Sequence, residues 1–277
     1  MSLHPPDAPP QHEPRAAAAG PAPPQEGRVV LVTGATGALG ASVVERFVAG
    51  GDRVLATGRD ATALAVLAAR HPGVSAAGGG AVAVHPADLA DPAAAPALFA
   101  AAAGRFGAAP TVVAHLAGGF RYAPLAALRP EDWRFLWRAN VESTVWLFAE
   151  CARRFGPAAG GGPVAGGGPA AGGGTVVAVS APAALAGAAG FGPYAAGKAG
   201  ALRLVEALAR ELAPAGGRAN AVLPGTMDTP ANRTAMPDAD PAGWVTTDAV
   251  ADVVWYLASP AAAAVNGAAV GVPGPTL

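Results

Sequence analysis

The stretch RVVLVTGATGALGASVVERFVA, residues 28–49, decides the fold. Its first six residues, RVVLVT (28–33), are apolar without polar alternation, which is how a strand buried on both faces reads. A helix over Ala38–Ala49 follows, and a glycine-rich turn joins the two. Glycines between a buried strand and a helix let a phosphate approach the backbone, while the helix N-terminus supplies N–H donors and a favourable dipole. Gly34, Thr36, Gly37, Ala38, Leu39 and Gly40 are therefore the first candidates for dinucleotide contact. A plain strand–helix connection that uses glycine for its backbone freedom is the competing reading.

The same alternation repeats outward from this unit. VLAT (54–57) reads as a strand and Asp60–Arg70 as a helix with an aspartate N-cap. AVAVH (81–85) precedes a helix from about 92 to 105, and TVVAH (111–115) one from about 132 to 155. TVVAV (175–179) precedes a helix over 194–212, and ANAVLP (219–224) leads through a loop to a helix over 248–258 and a last strand at 269–272. Seven strands with crossover helices predict a doubly wound parallel α/β sheet of the Rossmann type, filling residues 28–277 as one domain. Residues 1–27, rich in Pro and Ala, read as a disordered tail, and 156–174 (GPAAGGGPVAGGGPAAGGG) as a flexible insert.

Composition excludes several functions. The net charge is −1 in a chain of 277 residues, so no electrostatic case exists for nucleic acid or an anionic membrane. One cysteine, Cys151, excludes an intrachain disulfide and a thiolate metal cluster. The five histidines have no ligand spacing, so no metal is expected. The uncharged run 175–197 carries Pro182, Pro193 and many glycines and lacks the Leu/Ile/Phe density of a membrane span. A soluble, cytoplasmic protein acting on a small molecule is the expectation.

Two further segments carry chemistry. After the second strand, where an acid would bind a ribose 2′-hydroxyl, stand Gly58 and Arg59; arginine there suits a 2′-phosphate, so NADP(H) is expected over NAD(H). Tyr194 and Lys198 lie four residues apart, on one helical face. An ammonium beside a phenol favours phenolate and makes the tyrosine an acid–base group. Lys198 is the one lysine in a chain whose Lys+Arg total is 18, so this position evidently does not accept arginine.

These residues together resemble the short-chain dehydrogenases/reductases. The glycine turn, Asp88-Leu89, His115-Leu116-Ala117-Gly118, Asn140, the Tyr194/Lys198 pair and Pro224-Gly225-Thr226-Met227-Asp228-Thr229 fall in that family's order. GATGALG (34–40), AGGF (117–120) and VLPGTMDTPANRTAMPDADPAGW (222–244) resemble its dihydropteridine-reductase-like branch. The resemblance implies hydride transfer with Tyr194 handling the proton. Lys198 would lower the tyrosine pKa and bind the nicotinamide ribose, and Asn140 would support a water relay. It further implies cofactor contacts at Asp88, Leu89, Ala117, Gly118, Pro224, Thr226 and Thr229, the last at the carboxamide. A lid over 225–245 and a homodimer or homotetramer built on the long helix and the Tyr194 helix also follow. Phe120, Met227 and Trp244 are candidates for stacking a flat substrate.

Three departures matter. Ala38 replaces a glycine of the usual turn. Arg59 stands where the pterin-recycling branch carries an acid. The family's substrate-binding serine position, thirteen residues before the tyrosine, is Ala181, with Ser180 one residue earlier and so on the opposite strand face unless the backbone bulges. Without that hydroxyl an ordinary ketone loses oxyanion stabilisation, and an electron-poor quinonoid or C=N substrate is favoured. The alternatives are a ketone/alcohol oxidoreductase that recruits Ser180, and a non-catalytic NADP(H)-binding regulator.

Overall fold

Every residue of β1 (Val29–Thr33) is buried, as a strand covered on both faces requires. The structure is a computed structural model describing residues 27–71, 81–157 and 173–275. The expected tail, apart from Gly27, and residues 158–172 of the expected insert lie outside the described residues.

In chain order, α1 (Ala38–Ala49), β2 (Arg53–Gly58), α2 (Ala61–Ala69), β3 (Ala81–Pro86), α3 (Ala94–Phe106) and β4 (Val112–His115) follow β1. Next come α4 (Pro130–Trp137), α5 (Ser143–Phe155), β5 (Thr175–Val179), α6 (Gly192–Leu212) and β6 (Arg218–Pro224). β7 (Met227–Asp228), α7 (Pro230–Ala235), β8 (Val245–Thr246), α8 (Thr247–Ala258) and β9 (Ala269–Val272) complete the described chain. The main sheet is seven-stranded in the order β3-β2-β1-β4-β5-β6-β9, and every pairing in it is parallel. The single-domain Rossmann fold expected from the strand runs is the fold observed.

Side-chain alternation divides the core into two layers. Val29 and Leu31 join Leu98, Phe99, Leu147, Phe148, Leu202 and Val205 on one face. Val30 and Val32 join Val43, Val44, Phe47, Val250 and Val254 on the other. Asp60 caps α2 as its position suggested, accepting the N–H groups of Thr62 and Ala63.

Two expectations need correction. The helix expected over 132–155 begins at Pro130, and a π-turn over Arg138–Glu142 separates α4 from α5. A π-turn uses the same residue types as an α-helix and displaces carbonyls from their usual partners. Here Ser143 Oγ donates to the Ala139 carbonyl at 2.7 Å and Thr144 Oγ1 to the Asn140 carbonyl at 2.7 Å. The segment expected as a loop over 225–245 instead folds: β7 and β8 pair in parallel, Met227 opposite Val245, around the short helix α7.

Candidate active site

A cleft of about 310 Å³ opens at the C-terminal ends of β1 to β4, where doubly wound sheets bind ligands. Gly34 takes φ +66°, and a Cβ there would sit 2.8 Å from the Ala117 nitrogen. A side chain would be strained both by conformation and by contact, so the turn runs hard against the β4 loop. No side chain caps the N-terminus of α1, which leaves its first N–H groups for an anion. Gly34, Thr36, Gly37, Arg59, Asp88, Leu89, Ala117 and Gly118 all line the cleft. Ala38, Leu39 and Gly40 form the first turn of α1. Pro224 ends β6, Thr226 follows it, and the Thr229 hydroxyl accepts the Asn232 N–H as the cap of α7.

Arg138 and Phe135 also line this cleft, and sequence reasoning missed both. Arg138 Nη2 donates to Asp88 Oδ2 at 2.8 Å. That hydrogen bond, followed by smaller contributions that include the Arg59 charge, holds the Asp88 carboxyl below the usual carboxylate range. Arg59 is exposed at the rim and makes no hydrogen bond or ion pair among the described residues.

At the inner end of the site, Lys198 is 7% exposed and its Nζ donates to the Val179 carbonyl at 3.2 Å. Nζ lies 5.9 Å from the centroid of the Tyr194 ring. Burial pushes the ammonium down to about 8 and the phenol up to about 12. The lowered phenol pKa expected from the neighbouring charge is thus corrected: burial alone accounts for both shifts, and it raises the phenol. Tyr194 holds its proton at neutral pH, the state of a proton donor.

Asn140 is 2% exposed, and its amide is fully engaged. Nδ2 donates to the carbonyls of Gly119 (2.9 Å) and Leu136 (2.8 Å), and Oδ1 accepts the Gly119 N–H at 3.2 Å. The side chain clamps the backbone of the β4 loop, and it shares with Lys198 and Ser180 the lining of a small internal cavity of about 10 Å³. A Cβ on Gly118 would stand 2.9 Å from Asn140 Oδ1 and 3.0 Å from Lys198 Nζ, so any larger residue there would displace the ends of those two side chains.

Ser180 does not offer its hydroxyl to a substrate. Its Oγ is buried and donates to the Lys198 carbonyl at 3.3 Å. Ala181 is extended (φ −156°, ψ 158°), so strand alternation turns it to the opposite face and no bulge recruits the serine. An aromatic wall stands before Tyr194 instead. Phe120 meets the Tyr194 ring edge-on at 5.0 Å and the Phe191 ring at 5.4 Å, and Tyr122 meets Phe191 edge-on at 6.0 Å. Phe120 is 53% exposed and Tyr122 63% exposed. Sequence reasoning found Phe120 but missed Phe191 and Tyr122; the one available signal was an aromatic residue in the otherwise aliphatic run APAALAGAAGFGP (181–193). Met227 packs against the α1/α8 face of the core, and Trp244, half-buried before β8, meets no aromatic ring among the described residues.

Among the described residues no cluster of three or more His, Cys, Asp or Glu could hold a metal ion, and no helix is long and apolar enough to cross a membrane.

Comparison with known proteins agrees with this geometry. Residues 28–240 match the family model described as short chain dehydrogenase. The chain is 32% identical over 262 residues to 2,3-dihydroxy-2,3-dihydro-p-cumate dehydrogenase of Pseudomonas putida, covering 91% of this chain and 95% of the relative. An oxidoreductase of the short-chain family from Burkholderia thailandensis has 32% identity and a TM-score of 0.69, covering 91% of this chain and 93% of that one. A short-chain type dehydrogenase/reductase from Mycobacterium ulcerans has 26% identity and a TM-score of 0.78, covering 89% and 88%.

Proposed function

The chain belongs to the short-chain dehydrogenase/reductase family of oxidoreductases, and on that premise we propose that it is an NADP(H)-preferring reductase of flat, conjugated substrates bearing a quinonoid C=O or a C=N bond. The family binds NAD(H) or NADP(H) and acts on small molecules. The Gly34 turn, the uncapped α1 and the cleft fit such a dinucleotide. When bound, its reduced nicotinamide supplies a hydride.

The observation that carries the substrate class is the pairing of Ala181 with the wall of Phe120 and Phe191. Ala181 offers no hydroxyl to a developing oxyanion beside Tyr194, so an acceptor that delocalises charge on its own is favoured. The exposed Phe120 ring, backed by the half-buried Phe191, suits a flat partner. Tyr194, protonated well above neutral pH, donates the proton. Lys198 orients the ribose end of the nicotinamide, and Asn140 holds the loop between them. Gly58 and Arg59 support the NADP(H) preference, since no acid stands there to repel a 2′-phosphate. The Thr226–Asp228 and AGGF segments support a place near the dihydropteridine-reductase-like branch. The partly exposed Trp133, Trp137 and Trp146 on α4 and α5, in the segment read from sequence as the long helix, support a homodimer or homotetramer built there and on α6.

The test is NADPH consumption with a quinonoid dihydropterin, run beside an aliphatic ketone, NADH and Tyr194→Phe. Turnover of the dihydropterin by wild type alone, faster with NADPH, supports the reading. Equal turnover of the aliphatic ketone sinks the substrate class, and equal use of NADH sinks the role of Arg59. The Pseudomonas putida relative is named for a dihydroxy-dihydro compound, which motivates a second reading, dehydrogenation of a cyclic diol; NADP+ reduction by such a diol is its assay.

A further inference from the structure

β4 is apolar until its last residue, His115, a fully buried imidazole. Thr33 Oγ1 lies 2.9 Å from His115 Nδ1 and already accepts the N–H groups of Leu116 at 3.2 Å and Ala117 at 3.3 Å. A hydroxyl has one proton and two lone pairs. The Leu116 N–H is shared with the Thr33 carbonyl at 3.2 Å, and the Thr33 hydroxyl has its own proton available for Nδ1. On the far side of the ring, Thr144 Oγ1 gives its one proton to the Asn140 carbonyl and lies 3.0 Å from His115 Nε2. Nε2 is therefore the donor. The Thr144 end thus places a proton on Nε2, and in a neutral ring Nδ1 is left to accept from Thr33. Burial together with the Lys198 charge keeps the ring neutral, its pKa pushed down to about 3.

We propose that His115 is a positioning residue: the one-way chain Thr33 to His115 to Thr144 to the Asn140 carbonyl pins the π-turn from which Asn140 holds the Gly119 backbone beside Lys198. The chain begins at the residue before the Gly34 turn and ends on the helix that carries Asn140, so both halves of the site share one hydrogen-bonded spine. The π-turn needs such a partner because its carbonyls are displaced from ordinary helical bonds. A neutral ring gives it one at any ordinary pH.

The kinetic part of this proposal rests on the oxidoreductase reading, so the test has arms with and without turnover. His115→Gln places an amide nitrogen where Nε2 stands and keeps the donor to Thr144, whereas His115→Asn keeps only an acceptor for Thr33. Thr144→Val cuts the chain beyond the ring without changing its shape. The kcat is expected to fall about 100-fold in His115→Asn and Thr144→Val, the scale of a misplaced active-site group, with the NADPH KM unchanged and with His115→Gln close to wild type. The His115 ring nitrogens are expected to show the neutral Nε2–H signature in 15N spectra across the neutral pH range. Acylation of Lys198, the one side-chain amine, is expected to quicken in His115→Asn and Thr144→Val but not in His115→Gln, and thermal midpoints separate misfolding from mispositioning. Absence of turnover in wild type would remove the oxidoreductase reading while the spectra and the acylation rates still decide the chain. A proton on Nδ1, or equal behaviour of the Gln and Asn variants, overturns the proposal.

Discussion

The two sides of Tyr194 are built on opposite plans. Behind it Lys198, Asn140, His115 and Ser180 are buried, and each is hydrogen-bonded. In front, Phe191 meets Phe120 at a tilt and Tyr122 edge to face, and Phe120 and Tyr122 leave more than half of their surface exposed. Directional bonds in a low dielectric fix positions and penalise any lost partner. Aromatic contact area fixes little beyond shape. The contrast teaches that the rear wall sets whether chemistry occurs, and the front wall sets on what.

The largest expected effect breaks the comparison at its centre. Tyr194→Phe keeps the ring edge against Phe120 and removes the hydroxyl that gives the proton, so kcat should fall about a thousandfold while NADPH affinity, read by fluorescence titration, stays put. Next, Ala181→Ser adds a hydroxyl to the front wall. Its ratio of kcat/KM for an aliphatic ketone over a quinonoid acceptor should rise about 100-fold, the usual weight of one oxyanion donor; an unchanged ratio would show that the missing serine does not govern substrate choice. Phe120→Ala should raise the KM for a flat acceptor about tenfold and leave kcat nearly intact, as expected of one ring contact plus its area. A matching loss of kcat would mean that the front wall also positions Tyr194. The smallest effect sharpens the rear wall. Acylation of Lys198 follows its neutral fraction, and burial lowers its pKa, so the rate should rise with pH through about 8; a midpoint near the ordinary lysine value of about 10.5 would mean that the amine is solvated.

The fold was legible because parallel strands covered on both faces must be continuous apolar runs, and the runs beginning at Val29, Val112 and Thr175 have no other reading. The cleft was legible because glycine turns announce backbone approach. Other features lack a local signal. Arg138 meets Asp88 from 50 residues away, and the π-turn has the composition of a helix. β7 and β8 are two residues each, too short for any alternation. The pKa directions of Tyr194 and Lys198 depend on burial, which spacing along a helix does not report. In sequence His115 reads as a poor metal ligand and as the head of the His115–Gly118 run; the signal for its position is a polar residue ending an apolar strand, and its partners Thr33 and Thr144 come from distant segments.

The π-turn over Arg138–Glu142 has a consequence for the length of the chain itself. Such a turn amounts to one residue too many in an α-helix, and one residue is about 100° of rotation. Deleting a single residue there would heal the helix into uninterrupted α-geometry while swinging everything on one side of it around the axis by that angle. The shortened helix would be the more regular and the more stable object, since ordinary carbonyl partners return. It would also aim Asn140 away from Gly119. Between a better helix and a working loop, the difference is one residue of insertion, and this chain has kept the insertion.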